Sequence, residues 1–144
     1  MPTEVVTTPR AEQQIDQLRT AQMKQLAAFV KELESRGCAA LGYRLTGDDP
    51  LAHLCVKHLG GSLRAVVAFE RSDRAWLLLV GPHDDGDPGI DVYTELYRMV
   101  GFQPPDSVKR TKPPCCGDGG EAPKMGKVAE ELADSATQLR RRRR

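Results

Sequence analysis

Residues 52–81, "AHLCVKHLGGSLRAVVAFERSDRAWLLLVG", restrict the possible fold more than any other part of the chain. Three aliphatic, β-branched runs follow one another with almost nothing between them. "AHLCVKHL" covers about 52–59, "SLRAVVAFER" about 62–71 and "AWLLLVG" about 75–81. Gly60–Gly61 joins the first pair as a tight hairpin, and "SDR" joins the second pair. The pattern predicts three consecutive strands in close order. The last run is apolar on both faces, so it is expected to be central or covered by helices.

The segments around these strands predict helices. "TEVVTT" is short and β-branched and reads as a first strand. In "TPRAEQQIDQL", Thr8 is the natural N-cap and Pro9 suits the first helical position, with Ile15 and Leu18 toward the core. Thr20 marks a break. A second helix over about 21–36 carries Met23, Leu26, Phe29, Val30 and Leu33 at helical spacing and stops at Gly37. "ALGYRLTGDDP" reads as a connector with Gly47, Asp48, Asp49 and Pro50 as turn residues. After the third strand, "DVYTELYRMVG" predicts a helix capped by Asp91, with Val92, Leu96, Met99 and Val100 as its stripe.

Composition changes after Gly101. Residues 102–123 are rich in proline and glycine and read as a linker. Residues 124–144 hold an amphipathic helix over about 125–139 and end in five arginines, Arg140–Arg144. A helix of that length is marginal alone and is expected to dock on its own body or on another chain. The expected fold is therefore α+β. Two N-terminal helices pack on a small, mainly antiparallel sheet in the order β-α-α-β-β-β-α over residues 1–101, followed by the linker and the C-terminal helix.

Charge is uneven. Residues 1–100 carry 11 Lys/Arg against 14 Asp/Glu, and residues 101–144 carry 10 against 6. The arginine block suits an acidic partner or nucleic acid. No run approaches the roughly 18 apolar residues of a membrane span, so a cytoplasmic protein with no membrane contact is the expectation. The four cysteines, Cys38, Cys55, Cys115 and Cys116, form no CxxC pair. A disulfide framework or zinc site is not expected from them, and Cys38 and Cys55 read as small core residues. "DDGDPGID" lacks the order of a calcium loop, and no metal or other cofactor is expected.

The order of elements, with the "TPRAEQQIDQL" opening, the "LGYRLTGDDPLAHLCVKHLGGSLRAVVAFER" meander and the "LLLVGPHDDGDPGIDVY" strand end, resembles the RelE/ParE toxin superfamily of bacterial type II toxin–antitoxin systems. The resemblance covers about residues 3–100. It implies a toxin neutralised by a cognate antitoxin protein. In the RelE branch the activity is metal-independent cleavage of mRNA on the ribosome, in which a ribose 2′-hydroxyl attacks the adjacent phosphate. Such chemistry needs a base, cations for the developing phosphorane charge and an acid for the leaving oxygen.

Carried over residue by residue, the resemblance implies four catalytic positions. Arg64 matches the third-strand arginine and would stabilise phosphate charge. Lys57, on the preceding strand, would hold phosphate. His83 follows the Val-Gly strand end, and histidine is suited to proton transfer near neutral pH. Tyr93 matches the late tyrosine and would stack on a base or take part in proton transfer. Arg44 and His58 are candidate RNA contacts. Cys55 stands where the family has a second lysine. Asp84, Asp85, Asp87 and Asp91 crowd His83 with charge that repels phosphate. The alternative implied by the same fold is a non-enzymatic ParE-like module that binds DNA gyrase or another protein.

Overall fold

The computed structural model describes residues 3–44, 54–71, 73–84, 91–100, 114–117, 120, 122 and 123. The expected C-terminal helix, the arginine block, most of the expected linker, the turn residues Gly47 to Pro50 and the aspartates Asp85 and Asp87 lie outside the described residues.

The N-terminal half follows the capping chemistry of its sequence. Strand β1 (Glu4–Thr7) runs into helix α1 (Pro9–Ile15), with Thr8 as N-cap and Pro9 inside the first turn. The Thr8 hydroxyl accepts from the Ala11 N–H at 3.1 Å and donates to the Leu78 carbonyl at 2.8 Å. One side chain thus starts the helix and fastens it to the sheet. Helix α2 (Thr20–Arg36) buries Leu26, Phe29 and Leu33. Met23 departs from the expected stripe and is 42% exposed. Gly37 ends the helix at a φ of +60°, which suits a residue without Cβ.

The sheet has five strands. β2 (Tyr43–Arg44), β3 (Leu54–Gly60), β4 (Leu63–Arg71) and β5 (Arg74–Pro82) form an antiparallel series, and β1 adds to β5 in parallel. The spatial order is β1-β5-β4-β3-β2. The three predicted strands are present, with the first turn one residue later than expected, at Gly61–Ser62, and the fold class is the expected one. β2 lies within the expected connector. It is two residues long, too short for a period-2 signal, and it is held by pairing Tyr43 with Val56 and Arg44 with Cys55.

The sheet divides the core in two. On one face α1, α2 and the short 3₁₀ turn Gly37–Ala40 cover Cys55, Ala65, Val67, Phe69, Ala75 and Leu77. On the other, helix α3 (Val92–Val100) lays Val92, Leu96 and Tyr97 over Val56, Val66, Trp76 and Leu78. β5 is buried along nearly its whole length because both faces are covered, as its unbroken apolar run required.

The cysteines overturn the expectation of an unbridged chain. Cys38 bonds Cys116, and Cys55 bonds Cys115, with Cα atoms 5.4 Å and 5.7 Å apart. Adjacent Cys115 and Cys116 do not need to bond each other, because each reaches a different partner on the α1/α2 face. Cys115 is buried there, so a piece of the proline- and glycine-rich segment is bolted into the core. Bridge partners 60 and 78 residues apart leave no local spacing signal in the sequence.

Candidate functional site

At one end of the sheet, on the α3 face, polar side chains from four elements meet. Strand pairing aligns His58 on β3 with Arg64 on β4, and Arg64 with Gly81 on β5. Paired residues of antiparallel strands point to one face, so His58 and Arg64 stand side by side. Tyr43 reaches the same face from the edge strand through its pairing with Val56. Just beyond the end of β5, the His83 N–H donates to the Ser62 carbonyl at 2.7 Å, which ties it to the β3–β4 hairpin. α3 then brings Asp91 and Tyr93 over this row.

The contacts form a connected set. The Tyr43 and Tyr93 phenol oxygens are 2.8 Å apart, and His58 Nε2 lies 3.3 Å from the Tyr43 oxygen. The His83 ring meets the Tyr93 ring edge-on, with centroids 4.8 Å apart. Tyr43 and His58 repeat that edge geometry at 5.5 Å. His83 Nδ1 lies 2.9 Å from Asp91 Oδ1.

Arg64 is held by backbone. Its Nη1 donates to the Gly61 carbonyl at 2.9 Å and to the Leu63 carbonyl at 3.3 Å. Its Nε is buried with no hydrogen-bond partner among the described residues. Arg10, Arg36, Arg71, Arg74 and Arg98 each pair with a carboxylate. Among the described residues Arg64 has no such pair. A guanidinium oriented by carbonyls and not neutralised by a carboxylate is suited to an anion.

Burial pushes the Tyr93 phenol far above the ordinary range, the Tyr43 hydrogen bond and charge add to this, and Arg64 offsets part of it. Tyr93 is therefore a neutral phenol at any working pH, able to donate a hydrogen bond. Burial alone would raise the Asp91 carboxyl. Its bonds from His83, from the Asp84 and Thr94 N–H groups and from the Thr94 hydroxyl outweigh burial and hold it below its usual value. Asp91 is the expected N-cap of α3: its Oδ2 accepts from the Thr94 N–H at 2.9 Å.

No protein-family model matches the chain, and no curated protein sequence matches it. Among solved structures, the crystal structure of the toxin–antitoxin complex RelBE2 from Mycobacterium tuberculosis is similar to it. That match has 18% identity, covers 56% of this chain and 96% of that one, and has a TM-score of 0.48.

Of the six residues singled out from the sequence, Arg64, His83, Tyr93 and His58 come together. Lys57 and Arg44 do not. Side chains alternate along a strand, so Lys57 shares the face of Cys55 and Leu59, under α2, and Arg44 follows its partner Cys55 to that same side. Tyr43 and Asp91 complete the cluster. Tyr43 lies in an apparent connector, and Asp91 carries the sequence signature of a cap and of a repulsive charge, so neither stands out as a site residue from the sequence. Among the described residues no group of three or more His, Cys, Asp or Glu is placed to hold a metal ion.

Proposed function

We propose that this chain is a RelE-like toxin of a type II toxin–antitoxin system, acting as a metal-independent mRNA endoribonuclease. The observation that supports it most is the convergence of Arg64, His83 and Tyr93 on one end of the α3 face. These are three residues that the sequence resemblance singles out, and they come from three separate elements. In this reading a scissile phosphate sits on the Arg64 guanidinium. His83 takes the 2′-hydroxyl proton, Arg64 balances the charge that builds on the phosphorane, and the neutral Tyr93 phenol donates toward the leaving 5′-oxygen. His58 and Tyr43 flank the RNA. A cognate antitoxin would cover this end of the sheet.

The test is cleavage of mRNA on ribosomes by the full chain in the presence of a chelator, with growth arrest on induction as the cellular readout. The wild type is expected to cut and to arrest growth. The triple variant Arg64→Ala/His83→Ala/Tyr93→Ala is expected to do neither. Equal harmlessness of the two would end the nuclease reading.

A second reading, a ParE-like module that binds gyrase or another protein without cutting RNA, is favoured by one observation. With Lys57 and Arg44 on the opposite face, Arg64 is the one lysine or arginine of the candidate set that faces the cluster. Inhibition of gyrase supercoiling by a chain that leaves RNA intact would select it.

A further inference from the structure

Resting on the nuclease reading, we propose that Asp91 is a positioning residue for His83. Its carboxylate fixes the ring with the proton on Nδ1 and the lone pair on Nε2, the atom that exchanges the substrate proton.

Capping a helix needs one acceptor oxygen, and Asp91 uses Oδ2 for that, taking both the N–H and the hydroxyl of Thr94 at 2.9 Å. Oδ1 points away from the helix. It sits 2.9 Å from His83 Nδ1 and accepts the Asp84 N–H at 2.8 Å. An ionised carboxylate only accepts hydrogen bonds, so the Nδ1 facing it must donate, and this settles the neutral tautomer. The Asp91 side chain is 7% exposed and that of His83 35%. The carboxylate is therefore out of reach of a substrate while the ring it holds is not. Tyr93 adds a second constraint through its edge contact with the ring. Among the described residues, the titratable and charged groups around this pair are Asp84 beside His83, Tyr93 on α3, Arg64 on β4, His58 on β3 and Tyr43 on β2.

Asp91→Asn separates the two tasks. With the amide oxygen kept on the Thr94 cap, the NH₂ group faces His83 Nδ1 and forfeits the bond from the Asp84 N–H, whereas the opposite flip would forfeit the cap. Nδ1 must then accept, and the ring proton moves to Nε2. In the Ser-His-Asp hydrolases the same change costs about 10⁴ in rate by installing the wrong tautomer.

The experiment uses the full chain, with ¹⁵N-imidazole shifts of His83 assigned against His83→Ala, and RNA cleavage measured in parallel. The wild type is expected to show the Nδ1–H tautomer and Asp91→Asn the Nε2–H tautomer. Cleavage by Asp91→Asn is expected to fall by about 100-fold or more, with a thermal midpoint above that of Asp91→Ala. An Nε2–H tautomer in the wild type overturns the proposal whether or not the variant folds. So does an Asn variant that cleaves at the wild-type rate. A wild type that cuts no RNA but shows the tautomer switch removes the nuclease reading and upholds the hold of Asp91 on His83.

Discussion

The phenol oxygens of Tyr43 and Tyr93 lie 2.8 Å apart and tie the edge strand β2 to helix α3 across the face that carries the candidate site. One hydroxyl donates and the other accepts, and the Tyr43 side is continued by His58 at 3.3 Å. Tyr43→Phe keeps the ring and removes that partner. Because Tyr43 raises the Tyr93 phenol, the variant should titrate Tyr93 at lower pH than the wild type does, though still above the ordinary phenol range, since burial remains. Tyrosine ¹³Cζ shifts against pH measure this. The stability loss should be about 1 kcal/mol, the net worth of one hydrogen bond, seen as a lower urea midpoint.

Strand parity makes a second prediction sharp. If the nuclease reading holds, Arg64→Ala should lower RNA cleavage by about 10² to 10³, the usual cost of losing one electrostatic contact to the reacting group. Lys57→Ala and Arg44→Ala, on the other face, should stay within about twofold, since they leave every group of the cluster in place. Rates of a defined RNA substrate decide it. An equal loss from Lys57→Ala would mean that RNA also contacts the α2 side.

Acid should weaken the α3 anchor in a defined direction. The Asp91 carboxyl is held below its ordinary value by four hydrogen bonds, so the native state binds its proton less readily than the unfolded chain. Its stabilisation is complete above the ordinary carboxylate pKa of about 4 and is lost as pH falls through the lower native value. Urea midpoints of the wild type and Asp91→Asn should therefore differ at pH 6 and converge toward pH 2. At pH 6 Asp91→Ala should cost about 1 kcal/mol more than a neutral surface change, through the lost cap.

The two bridges predict a redox-dependent stability. Removing Cys55–Cys115 should cost about 2–4 kcal/mol. Cys38–Cys116 should add less than its 78-residue separation implies. Once Cys55 is joined to Cys115, the second bridge in effect closes only the stretch between Cys38 and Cys55. Non-reducing mass spectrometry with thiol alkylation should find no reactive thiol, and thermal midpoints with and without reductant should differ. Bridges of this kind persist in oxidising surroundings and are reduced by cytosolic thiols. A cytoplasmic toxin would therefore have to remain active with its cysteines reduced, and the same RNA cleavage assay under reductant checks this.

Much of the body was legible in the sequence. The meander announced itself through period-2 and unbroken apolar runs with tight turns between them, and Thr8, Pro9 and Asp91 marked helix starts by chemistry that acts within four residues. What local pattern could not carry was pairing between distant segments: Tyr43 with Val56, and Cys55 with Cys115. Lys57 and His58 are neighbours in a strand, so parity puts their side chains on opposite faces of the sheet. For Asp91 the cap is legible but its partner is not, because no local pattern couples it to His83 eight positions earlier.

The crossed bridges also change what a cut in the backbone would do. A break anywhere between Cys38 and Cys55 leaves its two fragments joined through Cys38–Cys116, and a break between Cys55 and Cys115 leaves them joined through both bridges. From residue 38 to residue 116 the oxidised chain therefore has no peptide bond whose hydrolysis separates the molecule into two pieces.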